Sequence, residues 1–356
     1  MKILLLYMHN RAYLSKFFFE LSTRLANDGF QVVNFSLKSQ EKSFVKNNVP
    51  VIIQQKGGYF SNYIKIGRLI KHHKPDVILS NFSYDNPSLL FGALFGVKKR
   101  VVWSHSLIES MEPSWSNLVI KRLFLKLSNL VIANSYLTQE ELQKHFKVPL
   151  KKIETIPFWS NISDQDHQSN DNKFAIEDEI IHIGSPGGFT PLKNQEVVIK
   201  VASEIKKFNT NFKIYFAGRG ITEDKLKQLV SDLNIEDNIV FLGNISPEDI
   251  VSFNKEMDVI ILPSLNDAFG LVVIEALALG TPVIVSNKMG ALTFIDKEKF
   301  DIQSFTFDAT SERDLVRLLK PFFNKTSKPS EFYKKIYTET FQKDQIYNKI
   351  KKVLTT

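Results

Sequence analysis

Residues 263–286, PSLNDAFGLVVIEALALGTPVIVS, decide how the rest of the chain reads. The aliphatic run leading into them predicts a buried strand ending at Pro263, then a loop, then a helix opening near Phe269 and Gly270. A helix start leaves backbone N–H groups without partners and carries the positive end of the dipole, which together suit an anion such as a diphosphate. Asp267 stands in the loop, and Glu275 lies one to two turns into the helix. There a carboxylate can accept hydrogen bonds from sugar or ribose hydroxyls. Two acids with seven residues between them are a weak pattern alone, equally readable as surface charge.

Outward from this stretch, short β-branched or aliphatic runs alternate with longer segments of helical period. The runs are 2–7, 30–35, 49–54, 76–81, 100–104, 130–134 and 153–158, then 179–184, 212–218, 238–243, 258–263 and 281–286. Amphipathic stretches at 14–27, 59–72 and 115–127 lie between the early ones. Continuous apolar strands alternating with helices predict parallel sheets covered on both faces. The expected fold class is α/β, with two doubly wound Rossmann-like domains facing across a cleft, where such folds place ligands. The first domain is expected at 1–160. A polar, Asn/Asp/Ser-rich linker or loop follows at 161–178, then a second domain at 179–328. A single C-terminal helix, 329–356, is expected to pack back toward the first domain.

A chain of 356 residues with 43% hydrophobic and 24% charged residues is long enough for two cores. The absence of cysteine excludes a disulfide scaffold, a thiol nucleophile and a Cys-ligated zinc site. No apolar run approaches the ~20 residues of a membrane span. The nearest, 89–97, is closed by Lys98, Lys99 and Arg100. The run 3–8 is too short for a signal-peptide core, so a cytoplasmic location is expected. Net charge is +8, but residues 1–160 hold 22 basic against 10 acidic residues and the remainder 24 against 28. Only the first half is therefore expected to meet something anionic, such as a phospholipid surface or a phosphorylated acceptor. Nucleic acid is not an expected partner, because no recognition motif accompanies the surplus and the second half is acidic.

Three further segments carry candidate chemistry. In 182–194, HIGSPGGFTPLKN, a strand runs into a Gly/Pro loop that permits close backbone approach, and Lys193 offers a point charge for phosphate. The strand exit AGRGI places Gly218 and Arg219 in a comparable loop. In the first half, His105 follows the apolar run VVWS and so stands past the C-terminal end of a parallel strand, where it can exchange a proton. Glu109 lies nearby, and His9 and Arg11 follow the first strand as acceptor-side candidates.

These residues together resemble the family 4 glycosyltransferases, two-domain nucleotide-sugar enzymes of the GT-B fold. Phe269, Gly270, Glu275, Ala276, Gly280, Thr281, Pro282 and Val283 stand in register with the family's signature string. The resemblance implies that Glu275 binds the ribose and that the backbone at Gly270 and Leu271 holds the diphosphate. Asp267 occupies a position where the family usually has glutamate, one methylene longer. The family grips the diphosphate with an arginine after the strand and a lysine at the helix start. Lys193 matches the lysine, whereas Ser185, following Gly184, occupies the arginine position, leaving Arg219 as the candidate replacement. Residues 238–243 resemble the strand beside the nucleobase, and IPFWSN fits the run into the linker in outline. Many members place a cleft histidine after the strand that His105 follows, to contact the donor sugar.

The resemblance implies a hexosyltransferase-type enzyme that retains anomeric configuration. It takes a sugar from a nucleotide-diphospho donor to a glycan or lipid-linked acceptor in envelope polysaccharide or lipopolysaccharide assembly. On this reading Lys193, Asp267 and His105 are the catalytic set, and no cofactor or metal is expected. The basic first half predicts peripheral attachment to an anionic membrane surface, at the inner face of the plasma membrane. A nucleotide-sugar epimerase of the same fold and a non-catalytic partner subunit are the alternatives.

Overall fold

The computed structural model describes residues 1–10, 13–108, 114–162, 174, 180–246 and 249–356. They form two compact units: Met1–Trp159 with Lys343–Thr356, and Ser160–Gln342. Most of the expected linker, and the candidates Arg11 and Glu109, lie outside the described residues.

The first unit is built on eight strands: β1 Lys2–Leu6, β2 Gln31–Lys38, β3 Lys42–Lys46, β4 Val49–Gln55, β5 Val77–Asn81, β6 Lys99–Ser104, β7 Leu130–Ala133 and β8 Ile153–Thr155. Their order is β3-β4-β2-β1-β5-β6-β7-β8, parallel except for the β3–β4 hairpin. The hairpin turns at Asn47 and Asn48, whose φ values of 51° and 61° suit a primed turn matched to strand twist. The central strands are buried on both faces, which is why their side chains read as unbroken apolar runs.

The second unit is built on six parallel strands: β9 Ile181–Pro186, β10 Phe212–Ala217, β11 Ile239–Gly243, β12 Val259–Leu262, β13 Val283–Ser286 and β14 Thr306–Phe307. Their order is β11-β10-β9-β12-β13-β14. This is the doubly wound order 3-2-1-4-5-6, and its direction reverses between β9 and β12. Its core joins Ile183, Ile214, Phe216 and Ile261 from the sheet to Val198, Val201, Leu315 and Leu319 from the covering helices.

The expected single C-terminal helix is instead two, Ser330–Thr340 and Lys343–Thr355. The break falls at Phe341, which is fully buried with its ring against Phe269, Phe294 and Tyr337. Burying that ring takes the backbone out of helical geometry, to φ −117°. The first helix stays with the second unit, with Ser330 Oγ donating to Gly280 O at 2.7 Å. The last helix belongs to the first unit. It buries Ile346, Tyr347, Ile350 and Leu354, and pairs Asp344 with Arg24 at 2.7 Å and Lys351 with Asp28 at 2.8 Å. Among the described residues no helix is long and apolar enough to cross a membrane.

Candidate functional site

In the second unit the candidate residues gather at the C-terminal ends of β9 and β12, where the strand order reverses. Gly184 and Ser185 are buried inside β9. A Cβ on Gly184 would stand 2.6 Å from Ile260 Cδ1 and 2.7 Å from Met257 Cγ, so this glycine lets the neighbouring core close onto the strand. Beyond the strand, the backbone of Gly187–Phe189 lies directly against that of Ala217–Gly220. Gly187 N–H donates to Ala217 O at 2.9 Å and Phe189 N–H to Arg219 O at 3.0 Å. A Cβ on Gly218 would fall 2.0 Å from Gly187 O, and one on Gly220 2.1 Å from Phe189 O. Only glycine allows the two loops to meet backbone to backbone. Arg219 is exposed at this exit, with its guanidinium over Gly243.

The loop after β9 ends in one 3-10 turn, Pro191–Lys193, and Asn194 then takes the left-handed conformation at φ 54°. The Asn194 carboxamide Nδ2 donates to Pro263 O at 3.1 Å and to Ala309 O at 2.8 Å. Leu265 N–H donates to Leu192 O at 2.8 Å. Loops leaving β9, β12 and β14 are thereby stitched together, and Lys193 is fixed in place. Lys193 Nζ meets Asp267 Oδ2 at 2.6 Å, with the Asp267 side chain 17% exposed. The other oxygen, Oδ1, accepts from Phe269 N–H at 3.0 Å. The Asp267 backbone is held as well, its N–H donating to Lys288 O at 3.2 Å and its carbonyl accepting from Gly290 N–H at 3.0 Å.

Helix Leu271–Leu279 opens after Gly270, whose φ of 86° is left-handed. Phe269 is buried, while Leu271, Glu275 and Leu279, four residues apart, form a half-buried stripe with Val272 half-buried beside it, and the rest of the helix is sunk in the core. The helix N-terminus, the Lys193 ammonium and the Glu275 carboxylate thus belong to one end of one sheet, an arrangement able to hold a diphosphate and hydroxyl groups together.

In the first unit His105 follows β6. Asn81 is fully buried at the end of β5, and its Nδ2 donates to Leu6 O at 3.2 Å, so its Oδ1 faces His105 Nε2. The imidazole therefore carries its proton on Nε2 and offers Nδ1 as an acceptor. Rings of Phe18, Phe82, Trp103 and Phe158 surround it at 4.9–5.8 Å. Burial pushes its pKa down to about 3. His9, after β1, donates its backbone N–H to Ser36 Oγ at 2.9 Å, and burial followed by Lys38 and Lys46 holds its ring below the usual range.

Residues 14–159 match the family model described as Glycosyltransferase Family 4, and residues 166–339 match the one described as Glycosyl transferases group 1. The chain belongs to glycosyltransferase family 4. The two matches of this family 4 chain divide where its two units divide. It is 30% identical over 167 residues to an uncharacterised glycosyltransferase of Methanocaldococcus jannaschii, covering 45% of this chain and 43% of that one. It is 28% identical over 183 residues to the O-antigen biosynthesis glycosyltransferase WclY of Escherichia coli, covering 51% and 48%. The chain thus spans under half the length of these curated relatives. Anabaena HepE in complex with UDP superimposes over the whole of both chains with a TM-score of 0.78 at 17% identity, which establishes the GT-B fold.

Within the family 4 chain, Lys193, Asp267, Phe269, Gly270, Leu271 and Glu275 come together at the β9/β12 end, with Gly218 and Arg219 on the adjoining loop. Ser185 lies inside the strand beneath them. The sequence reading missed Asn194 and Gln195, whose Nε2 donates to Gly188 O at 3.1 Å and braces the glycine loop. It also missed Asn81, which orients His105. Asparagine's tolerance of left-handed backbone, directly before a helix, was the available signal for Asn194.

Proposed function

We propose that this chain transfers a hexose, with retention, from a nucleotide-diphospho sugar to a glycan or lipid-linked acceptor in envelope polysaccharide or lipopolysaccharide assembly. The observation that carries this reading is Lys193, fixed by Asp267 and Asn194 beside the start of helix Leu271–Leu279. As the sugar leaves, charge accumulates on the departing diphosphate. A preorganised ammonium and helix N–H groups stabilise that charge without reorganising. This chemistry asks for no resident metal. Glu275, one turn along the helix, accepts hydroxyls of the ribose. The UDP bound by the HepE fold and the O-antigen role in the name of WclY support the donor class and the setting. Retention follows from the family resemblance.

The same reading places the enzyme at an anionic membrane surface on the cytoplasmic side. Phe60, Ile64, Arg68 and Lys71 fall on one face of helix Tyr59–His73 and are all exposed, Phe60 by 81%. Helix Trp115–Leu125 exposes Trp115 by 80%, with Ile120, Arg122 and Leu123. Lys121 does not join this basic face, because it turns inward to Asp85. Apolar side chains among cations suit the boundary of an anionic bilayer.

The test is a thermal-shift screen of the purified chain against UDP-, GDP- and ADP-sugars with and without EDTA, followed by product analysis. A donor that raises the melting temperature regardless of chelator, and is consumed only when an acceptor is added, is the expected result. Epimerised donor formed without acceptor, or no stabilisation by any sugar nucleotide, overturns the reading.

A further inference from the structure

The first unit contains a cavity of about 600 Å³, within the ordinary size range for small-ligand sites. Helices Tyr59–His73, Trp115–Leu125 and Tyr136–Lys144, the start of helix Asp85–Leu94 and the end of β6 all contribute to its wall. Val102, Leu118, Leu125, Leu142 and Phe146 form an apolar floor, and all five belong to one core cluster. Tyr59, Phe82, Ser83, Asn117 and Ile120 are exposed and form the mouth. The cavity thus runs from a mixed rim into hydrocarbon.

Two properties of this wall restrict what can fill it. The first is charge. Asp85 and Lys121, both on the wall, are paired with each other at 2.5 Å and so cancel. Burial keeps His105 uncharged at neutral pH. The described wall therefore offers no free charge to an ionic ligand, and burying one unpaired would be costly. The second is the change of polarity with depth. A hydroxyl pressed against Leu125, Leu142 or Phe146 would lose its water and find no partner there. Water faces the same loss, and cavities with such walls stay dry and take up hydrocarbon. Val102, Leu125, Leu142 and Phe146 are buried although they border the cavity, so access to them is narrow. A slender, uncharged, apolar group meets both conditions.

The surroundings of the mouth show where such a group comes from. The two helices that flank it are the ones that expose Phe60, Ile64, Trp115 and Leu123 among Arg68 and Arg122. Large exposed apolar side chains interspersed with cations suit the boundary of a bilayer, so the mouth opens beside a surface fit to meet lipid. At the rim, Phe82 adopts φ +55°, a left-handed conformation that a bulky residue rarely takes, and keeps its ring 45% exposed. We propose that this cavity takes one hydrocarbon tail of a membrane lipid, passed between Tyr59, Phe82 and Ile120 to rest against Leu125, Leu142 and Phe146. Naming that lipid as the acceptor rests on the function proposed above; the binding itself does not.

Fluorescence titration of the full chain with 11-(dansylamino)undecanoic acid, with no donor or vesicle present, tests it. One probe is expected to bind per chain and to be displaced by an uncharged tail. Dodecanol and farnesol serve as straight and branched competitors; displacement by either supports the proposal, and the stronger one tells an acyl from an isoprenoid source. Methyl β-D-glucopyranoside should not compete. Ile120→Trp, which narrows the mouth, and Leu142→Phe, which fills the floor, should weaken probe binding about tenfold or more while UDP binding is unchanged. Phe60→Asp combined with Trp115→Asp, both outside the lining, should leave probe binding intact, which separates a tail in the cavity from adsorption on the surface. Four results overturn the proposal: no saturable probe binding, displacement by neither alcohol, wild-type affinity in both cavity variants, or probe binding lost in the surface double variant. Tail binding without sugar-nucleotide consumption would sink the transferase reading and leave the cavity assignment standing. Consumption without tail binding would do the reverse.

Discussion

Lys193 Nζ lies 2.6 Å from Asp267 Oδ2 across the point where the strand order of the second sheet reverses. The aspartate holds the ammonium in place, yet its own negative charge opposes an incoming diphosphate. Lys193→Ala should therefore lower kcat by on the order of 10²–10³-fold and weaken UDP binding as well, since it exposes an uncompensated carboxylate. Adding Asp267→Asn to that variant should recover part of the UDP affinity. Thermal stability should change by less than ~1 kcal/mol, because the pair is partly solvated. Calorimetric titration with UDP on the single and double variants checks this; no recovery in the double variant would count against the repulsion argument.

Asn194 does two jobs, and two substitutions separate them. Asn194→Gly keeps access to the left-handed backbone but loses both carbonyl contacts, whereas Asn194→Ala loses the contacts and adds strain. Losing two hydrogen bonds should cost about 2 kcal/mol in denaturant melts, with alanine costing about 1 kcal/mol more than glycine. Both should raise the donor KM by loosening Lys193.

Gly218→Ala and Gly220→Ala each drive a Cβ to within 2.1 Å of a backbone carbonyl oxygen on the facing loop. A rigid backbone cannot yield as a side-chain tip would. Destabilisation on the order of 3 kcal/mol and loss of UDP binding are expected. Wild-type melting and UDP affinity in either variant would show that the loops part easily.

The neutral His105 makes stability depend on pH. Its folded pKa of about 3 lies below the ordinary 6.5, so the unfolded chain binds the proton more readily. Its contribution is fully present above pH 6.5 and is lost as pH falls from 6.5 toward 3. Urea melts at pH 7, 5.5 and 4.5 should show His105→Phe losing less stability on acidification than wild type. Equal losses would place the ring in a solvated setting.

Membrane attachment should depend on the exposed helix faces rather than on total charge. Phe60→Asp combined with Trp115→Asp should cut sedimentation with vesicles rich in phosphatidylglycerol at least tenfold at low salt. Raising salt should weaken wild-type binding. Wild type that ignores anionic vesicles would leave a non-membrane acceptor as the better account.

The parallel strands were legible because each is buried on both faces and so reads as an unbroken aliphatic run. Strand β3 was not: Lys42, Ser43, Val45 and Lys46 are exposed on a sheet edge, and only the Asn47–Asn48 pair hints at its turn. The break at Phe341 was hidden because a helical local sequence yields there to burial of one ring. In the site, Gly270 and Glu275 belong to a continuous signature and could be read directly. The partner of Lys193 could not, since Asp267 is 74 residues away, nor could the carbonyls that Asn194 holds, 69 and 115 residues away.

Because the last helix returns to the first unit, the chain enters the second unit after Trp159 and leaves it before Lys343. The second unit is thus a cassette spliced into the first. Grafting a relative's second unit onto this protein means exchanging the segment 160–342 at two junctions. A cut at residue 160 alone would strip the first unit of the helix whose Tyr347 and Lys351 both hold Asp28.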